Sequence, residues 1–263
     1  MAGRAVATTL LPVLFMSGLA GVPLPARSGD GVVQFVDTSV SLLHGSGFKV
    51  EPKTQTTFTI EQVSGWSFGD LYWFVDSLHY SRDDGAGHRS SWYGEFSPRL
   101  SLGKLTGHPW RAGPVEDVLI AATYELGRDR RTTESGLLGV GFDLDAAGFD
   151  YLQVNVYARK DFHRGDWDTW QLTVTGARPF TVGRQRFMID GFFDYVAPGG
   201  PHSWNLHVVP QLKWDLGHAL GHADGKLWLG VEVDLWWNKF GIPDSRGFPT
   251  DQRTASLLLR QHF

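Results

Sequence analysis

The 263-residue chain has no cysteine, which excludes a disulfide framework, a thiol nucleophile and a thiolate metal site. Charge is sparse: 20% of residues are Asp, Glu, Lys or Arg, and the formal net charge is -4. A chain of that sign is poorly suited to nucleic acid, whose binding rests on Lys and Arg at phosphates. Beyond Ala20 no stretch reaches the ~18 consecutive apolar residues of a spanning helix. Catalytic signatures are missing too. There is no Gly-x-Ser-x-Gly, no His-Glu-x-x-His and no phosphate-binding glycine loop. The ten His are scattered. No enzyme activity, cofactor or metal is therefore expected. Disorder is excluded by a hydrophobic content of 42%, including 11 Trp.

The N-terminus reads as an export leader. Met1 to Arg4 give a short positive start, and Ala5 to Ala20 follow as a mostly apolar run without a charge. Gly18 and Ala20 suit a signal-peptidase site, and Ala26 is a second one. A cleaved leader is expected over residues 1–26, with its boundary between 20 and 26, and a single domain over 27–263.

The rest alternates with period two. Trp92, Gly94, Phe96, Pro98, Leu100 and Leu102 share one face, while Tyr93, Glu95, Ser97, Arg99 and Ser101 share the other. Twelve such strands are expected, at roughly 32–43, 54–64, 67–78, 91–103, 117–127, 136–145, 149–160, 168–179, 185–196, 203–217, 226–239 and 252–263. Many exceed the usual five or six residues of soluble strands and reach the ~9–11 needed to cross a bilayer. An all-β fold follows: a transmembrane antiparallel up-and-down barrel of about 12 strands. A soluble sandwich would need shorter strands and more turns.

Tight turns at Ser64–Ser67, Ala146–Gly148 and Phe180–Gly183 interleave with longer polar loops at 81–90, 128–135, 161–167, 197–202 and 241–251. Lys104 to Glu116 breaks that pattern, as a long piece among the short turns. Trp66, Trp73, Trp92, Trp167, Trp170, Trp204, Trp228 and Trp237 lie near strand ends, where aromatic girdles meet the lipid interfaces. Ser77 and His79 share the lipid face near the outer end of one strand, the level a lipid-cleaving barrel would use.

Turning the polar face of each strand inward gives a lumen richer in acids than in bases. Asp70, Asp76, Glu95, Glu125, Asp143, Asp145, Asp190, Asp194, Asp215, Glu232 and Asp234 stand against Arg99, Arg159, Arg186, Lys213 and Arg260. Such a wall disfavours anionic solutes. Inward aromatics accompany the acids. Tyr72 and Phe74 lie between Asp70 and Asp76, Phe192 between Asp190 and Asp194, and Trp236 between Asp234 and Asn238. An aromatic beside an oxygen-bearing side chain suits a solute with a flat face and several hydroxyls.

Phe68-Gly69-Asp70-Leu71-Tyr72-Trp73-Phe74-Val75-Asp76 resembles the nucleoside-specific outer-membrane channels, the Tsx-like and OmpK-like barrels. So do Glu95–Ser101, Ala121–Glu125, Gly141–Asp145, Asn238-Lys239-Phe240-Gly241 and the ending His262-Phe263. The resemblance covers about Phe35 to Phe263. It implies a monomeric twelve-stranded barrel in the bacterial outer membrane with a narrow channel for nucleosides. Outer-membrane lipid, lipopolysaccharide and the assembly machinery are its implied partners, the last reading the terminal Phe263. The expected solute-contacting set is Asp70, Tyr72, Phe74, Asp76, Glu95, Arg99, Asp190, Phe192, Asp194, Asp234, Trp236 and Asn238. A lipid-acting barrel enzyme and a closed structural or receptor barrel are the alternatives.

Overall fold

The computed structural model describes residues 31–81, 89–129, 132–163 and 167–263. The expected leader lies outside them. Twelve strands follow in chain order: β1 (Val33–Ser46), β2 (Thr54–Trp66), β3 (Gly69–Tyr80), β4 (Ser90–Ser101), β5 (Val115–Arg128), β6 (Thr132–Leu144), β7 (Tyr151–Asp161), β8 (Trp167–Val182), β9 (Gln185–Val196), β10 (Asn205–Asp215), β11 (Leu227–Trp237) and β12 (Gln252–His262). Each pairs antiparallel with its sequence neighbours, and β1 pairs with β12, from Ser39↔His262 to Ser46↔Ala255, closing the barrel. Closure leaves no unpaired edge in the described sheet, which a lipid environment requires.

Alternation sorts the side chains as the sequence implies. Leu42, Ile60, Val75, Phe96, Ile120, Leu138, Val156, Leu212, Val231 and Leu257 are exposed and form the outer apolar belt. Ser39, Ser41, Thr59, Arg99, Glu125, Asn155, Gln171, Lys213, Thr254 and Arg260 are buried on the inner face. β12 is the cleanest case, with buried and exposed residues alternating from Gln252 to Arg260. Trp92 and Trp170 sit exposed on the outer face as expected. Trp228 does not join that girdle. It is buried, paired across to Asp215 and Arg260, and donates its indole N–H to the Gly225 carbonyl at 2.9 Å.

β5 runs to Arg128 and β6 starts at Thr132, so most of the loop expected at 128–135 is strand. The polar residues there pair in register, Arg128↔Thr132 and Leu126↔Glu134. The long 102–114 connection is organised by α1 (Leu102–Thr106), with the Ser101 side chain accepting the Lys104 N–H and Gly107 in the left-handed region. A second short helix, α2 (Leu216–Ala219), opens the β10–β11 connection under an Asp215 cap. Both lie on the rim that carries the chain termini. On β6, Gly139 faces Tyr157, and a Cβ there would stand 1.8 Å from the Val156 carbonyl oxygen. Only glycine permits that approach.

Candidate functional site

The described cations of the inner wall are each committed to a carboxylate. Arg99 grips Asp70 through Nε at 2.8 Å and Nη2 at 2.7 Å, and reaches Asp143 through Nη1 at 2.8 Å. Arg159 holds both oxygens of Glu125 and also donates to Gln171 Oε1 at 2.7 Å. Lys213 pairs with Asp190. Arg260 pairs with Glu61 at 2.9 Å and donates to Ser41 Oγ at 2.8 Å. These bonds join neighbouring strands or strands one apart and brace the wall from within.

Four acids near the aromatics are among those with neutral donors alone. Asp76 accepts from Thr59 Oγ1 at 2.5 Å, Glu95 from the Tyr93 hydroxyl at 2.8 Å, Asp194 from Thr173 Oγ1 at 2.5 Å, and Glu232 from Gln211 Nε2 at 2.8 Å. None has an ion-pair partner among the described residues. These four carboxyl groups thus stand in the lumen without a counter-charge.

The aromatics fall into two groups. Tyr72 and Phe74 of β3 have ring centroids 5.8 Å apart, and Phe74 meets Tyr93 of β4 at 5.9 Å. On β9 to β11 a longer track forms. Phe192 meets the edge of His207 at 5.0 Å, and His207 lies flat on Trp236 at 3.8 Å. Trp236 then meets Phe240 at 4.8 Å. His207 Nε2 lies 3.2 Å from Asp234 Oδ1, and Trp236 Nε1 donates to Asn205 Oδ1 at 3.3 Å. Asp194 is the cross-strand neighbour of His207.

Of the expected set, the structure groups Asp70, Tyr72, Phe74, Asp76, Glu95 and Arg99 on β3 and β4, and Phe192, Asp194, Asp234 and Trp236 on β9 to β11. Asp190 is tied up by Lys213. Asn238 lies past the end of β11, with a left-handed φ of 47°. Its amide donates to the Trp204 carbonyl and accepts from the Asp244 N–H, so it organises a loop rather than facing solute beside Trp236. Asp145 lies outside its strand, and Arg186 pairs with Asp224 at 2.7 Å on the terminal rim.

Sequence reading passed over Glu61, His207 and Lys239. The β2 run Thr-Gln-Thr-Thr-Phe-Thr-Ile-Glu-Gln alternates weakly, which hid the inward position of Glu61. His207 stands on the inward face of β10, which is the signal the sequence offers; its place opposite Trp236 comes from the strand register. Ser77 Oγ and His79 Nε2 lie 3.0 Å apart on the outer face, with no third group holding the other His79 nitrogen among the described residues.

A closed antiparallel barrel with an apolar exterior and a charged, aromatic lumen is the architecture of an outer-membrane channel. The chain belongs to the family of the nucleoside-specific channel-forming protein Tsx, whose family model matches residues 38–197. It is 28% identical over 199 residues to outer membrane protein OmpK of Vibrio parahaemolyticus serotype O3:K6 (strain RIMD 2210633), covering 71% of this chain and 75% of that protein. It is 25% identical over 207 residues to nucleoside-specific channel-forming protein Tsx of Escherichia coli O157:H7, covering 72% and 68%. Among solved structures, a KdgM porin in complex with disordered oligogalacturonate aligns at a TM-score of 0.47 and 11% identity, covering 86% of this chain and 99% of that one. The protein resides in the outer membrane. Its terminal rim faces the periplasm and the opposite rim faces outward.

Proposed function

We propose that the barrel passes nucleosides, or similar neutral solutes with a flat ring and several hydroxyls. The observation that carries this reading is the track Phe192–His207–Trp236–Phe240, with Asp194 and Asp234 beside it. A nucleobase stacking on such a ring gains about 1–3 kcal/mol. Carboxylates on the wall accept hydrogen bonds from ribose hydroxyls. Several modest contacts in sequence suit a channel, because a solute held too tightly does not leave. Asp76, Glu95, Asp194 and Glu232, which lack counter-charges, disfavour the phosphate of a nucleotide. The likeness to the nucleoside-specific channel-forming protein Tsx of Escherichia coli O157:H7 supports the same solute class.

The test is single-channel recording with adenosine, thymidine or AMP on wild type and on Phe74→Ala, Phe192→Ala and Trp236→Ala. Nucleosides are expected to block the current at micromolar to millimolar concentrations and AMP far less, with Phe192→Ala and Trp236→Ala weakening the block. Equal block by AMP, or an unchanged block in all three variants, overturns the reading.

A further inference from the structure

Lys239 occupies an unusual place for a charged loop residue. It stands in the β11–β12 connection at the outer rim, within the 3-10 turn Lys239–Gly241, yet it is only 2% exposed. A buried ammonium must spend all three of its N–H donors on protein. Nζ gives one to Glu51 Oε2 at 2.7 Å and one to Gln252 Oε1 at 2.8 Å. The rest of its surroundings are rings, with Nζ 5.0 Å from the Trp236 centroid and 5.1 Å from that of Phe240. Both distances fall within cation–π range. These two rings are the outermost steps of the aromatic track.

The backbone around Lys239 is bent to place it there. Asn238 and Phe240 both hold left-handed φ, 47° and 61°, which non-glycine residues adopt rarely. The hook is pinned from outside. The Asn238 N–H donates to Asp251 at 2.9 Å, the Ser203 N–H donates to the Gly241 carbonyl at 2.9 Å, and Asp244 accepts from the N–H groups of Thr250 and Asp251. Glu51 belongs to the 47–53 connection, whose Lys49 N–H also donates to Gln252 Oε1 at 2.9 Å. One buried ammonium thus joins two outer loops to the start of β12, within cation–π range of Trp236 and Phe240.

We propose that Lys239 is a positioning residue for solute uptake. It holds the Trp236 and Phe240 rings, and the 47–53 connection beside them, in the arrangement that admits a flat solute from the outer face. Lys239 does not touch the solute. Its charge is matched by Glu51, so it adds no long-range attraction for anions. The inference rests on the aromatic track being the solute path, and it adds a direction: the device serves access from outside and leaves access from the periplasm alone.

The experiment measures adenosine block of single channels inserted in one orientation, with solute added to either chamber in turn. It compares wild type, Lys239→Met, Lys239→Arg and Glu51→Gln, each shown to be a folded barrel by its unboiled gel mobility. Lys239→Met is expected to slow block from the outer side several-fold and leave the periplasmic-side association rate unchanged. Lys239→Arg keeps the cation and is expected to restore most of the outer rate. Glu51→Gln, which frees the ammonium from its anchor without removing it, is expected to lie between. Equal slowing from both sides, or no slowing in Lys239→Met, overturns the positioning role while leaving the nucleoside reading intact. No block of wild type from either side overturns both.

Discussion

Arg159 of β7 holds Glu125 of β5 with both terminal nitrogens of its guanidinium, across the intervening β6. The pair is largely shut off from solvent, at 19% and 7% side-chain exposure. Ser135 of β6 supplies a further oxygen at 3.2 Å. A buried pair of this kind costs desolvation, and removing one partner strands the other charge.

Arg159→Met should therefore destabilise the barrel by about 3–5 kcal/mol, because it leaves Glu125 buried without its cation. The double variant Arg159→Met/Glu125→Gln should recover most of that loss. Denaturant unfolding in lipid vesicles measures both. A single variant as stable as wild type would show that Glu125 finds another donor.

The surplus of lumen carboxylates over cations should make the open channel cation-selective. The reversal potential across a KCl gradient should carry the sign of K⁺ permeation. Glu95→Gln combined with Asp194→Asn should move it toward zero, while Asp70→Asn, which disturbs a charge already matched by Arg99, should move it less. An anion-selective wild type would contradict this accounting.

At the periplasmic rim His218 and Asp224 form a titratable clasp over the β10–β11 connection. His218 Nδ1 lies 2.8 Å from Asp224 Oδ1, and Nε2 lies 3.1 Å from the Arg184 carbonyl. Two acceptors, one at each nitrogen, favour the doubly protonated ring. The bond to Asp224, then that to Arg184, raises the His218 pKa, and the bond to His218 lowers that of Asp224. The His218 contribution is fully present below the ordinary imidazole pKa and is lost as pH rises through the raised value. The Asp224 contribution is present above the ordinary carboxylate pKa and is lost as pH falls through the lowered value. Amide protection factors over residues 216–226 should thus be higher at about pH 5.5 than at about pH 8.5, by that linkage. His218→Gln should abolish the difference; a pH-independent wild type would exclude the clasp.

The strands were legible because lipid on one side and a polar lumen on the other impose strict alternation, as β12 shows from Gln252 to Arg260. Where both faces leave the lipid the signal fades, so the paired Arg128 and Thr132 read as loop. Alternation also gives a side chain's face without its height. Phe192, His207 and Trp236 could each be turned inward from sequence, but their meeting depends on the register between three strands. Lys239 stands in a motif with no period to locate it, since its burial arises from one loop-borne partner, Glu51, and two strand-borne ones, Gln252 and Trp236.

The seam between β1 and β12 ties Ser39 to His262, so the ring shuts through a pairing between residues far apart in the chain. Every other strand pairs with a neighbour in sequence, over short separations. The final pairing spans nearly the whole polypeptide and comes late and slowly. Until it forms, the molecule is an open ribbon with two adhesive edges. The period of greatest vulnerability therefore falls between export and closure, and a chaperone that shields β1 and β12 would protect this protein more than one that shields its middle.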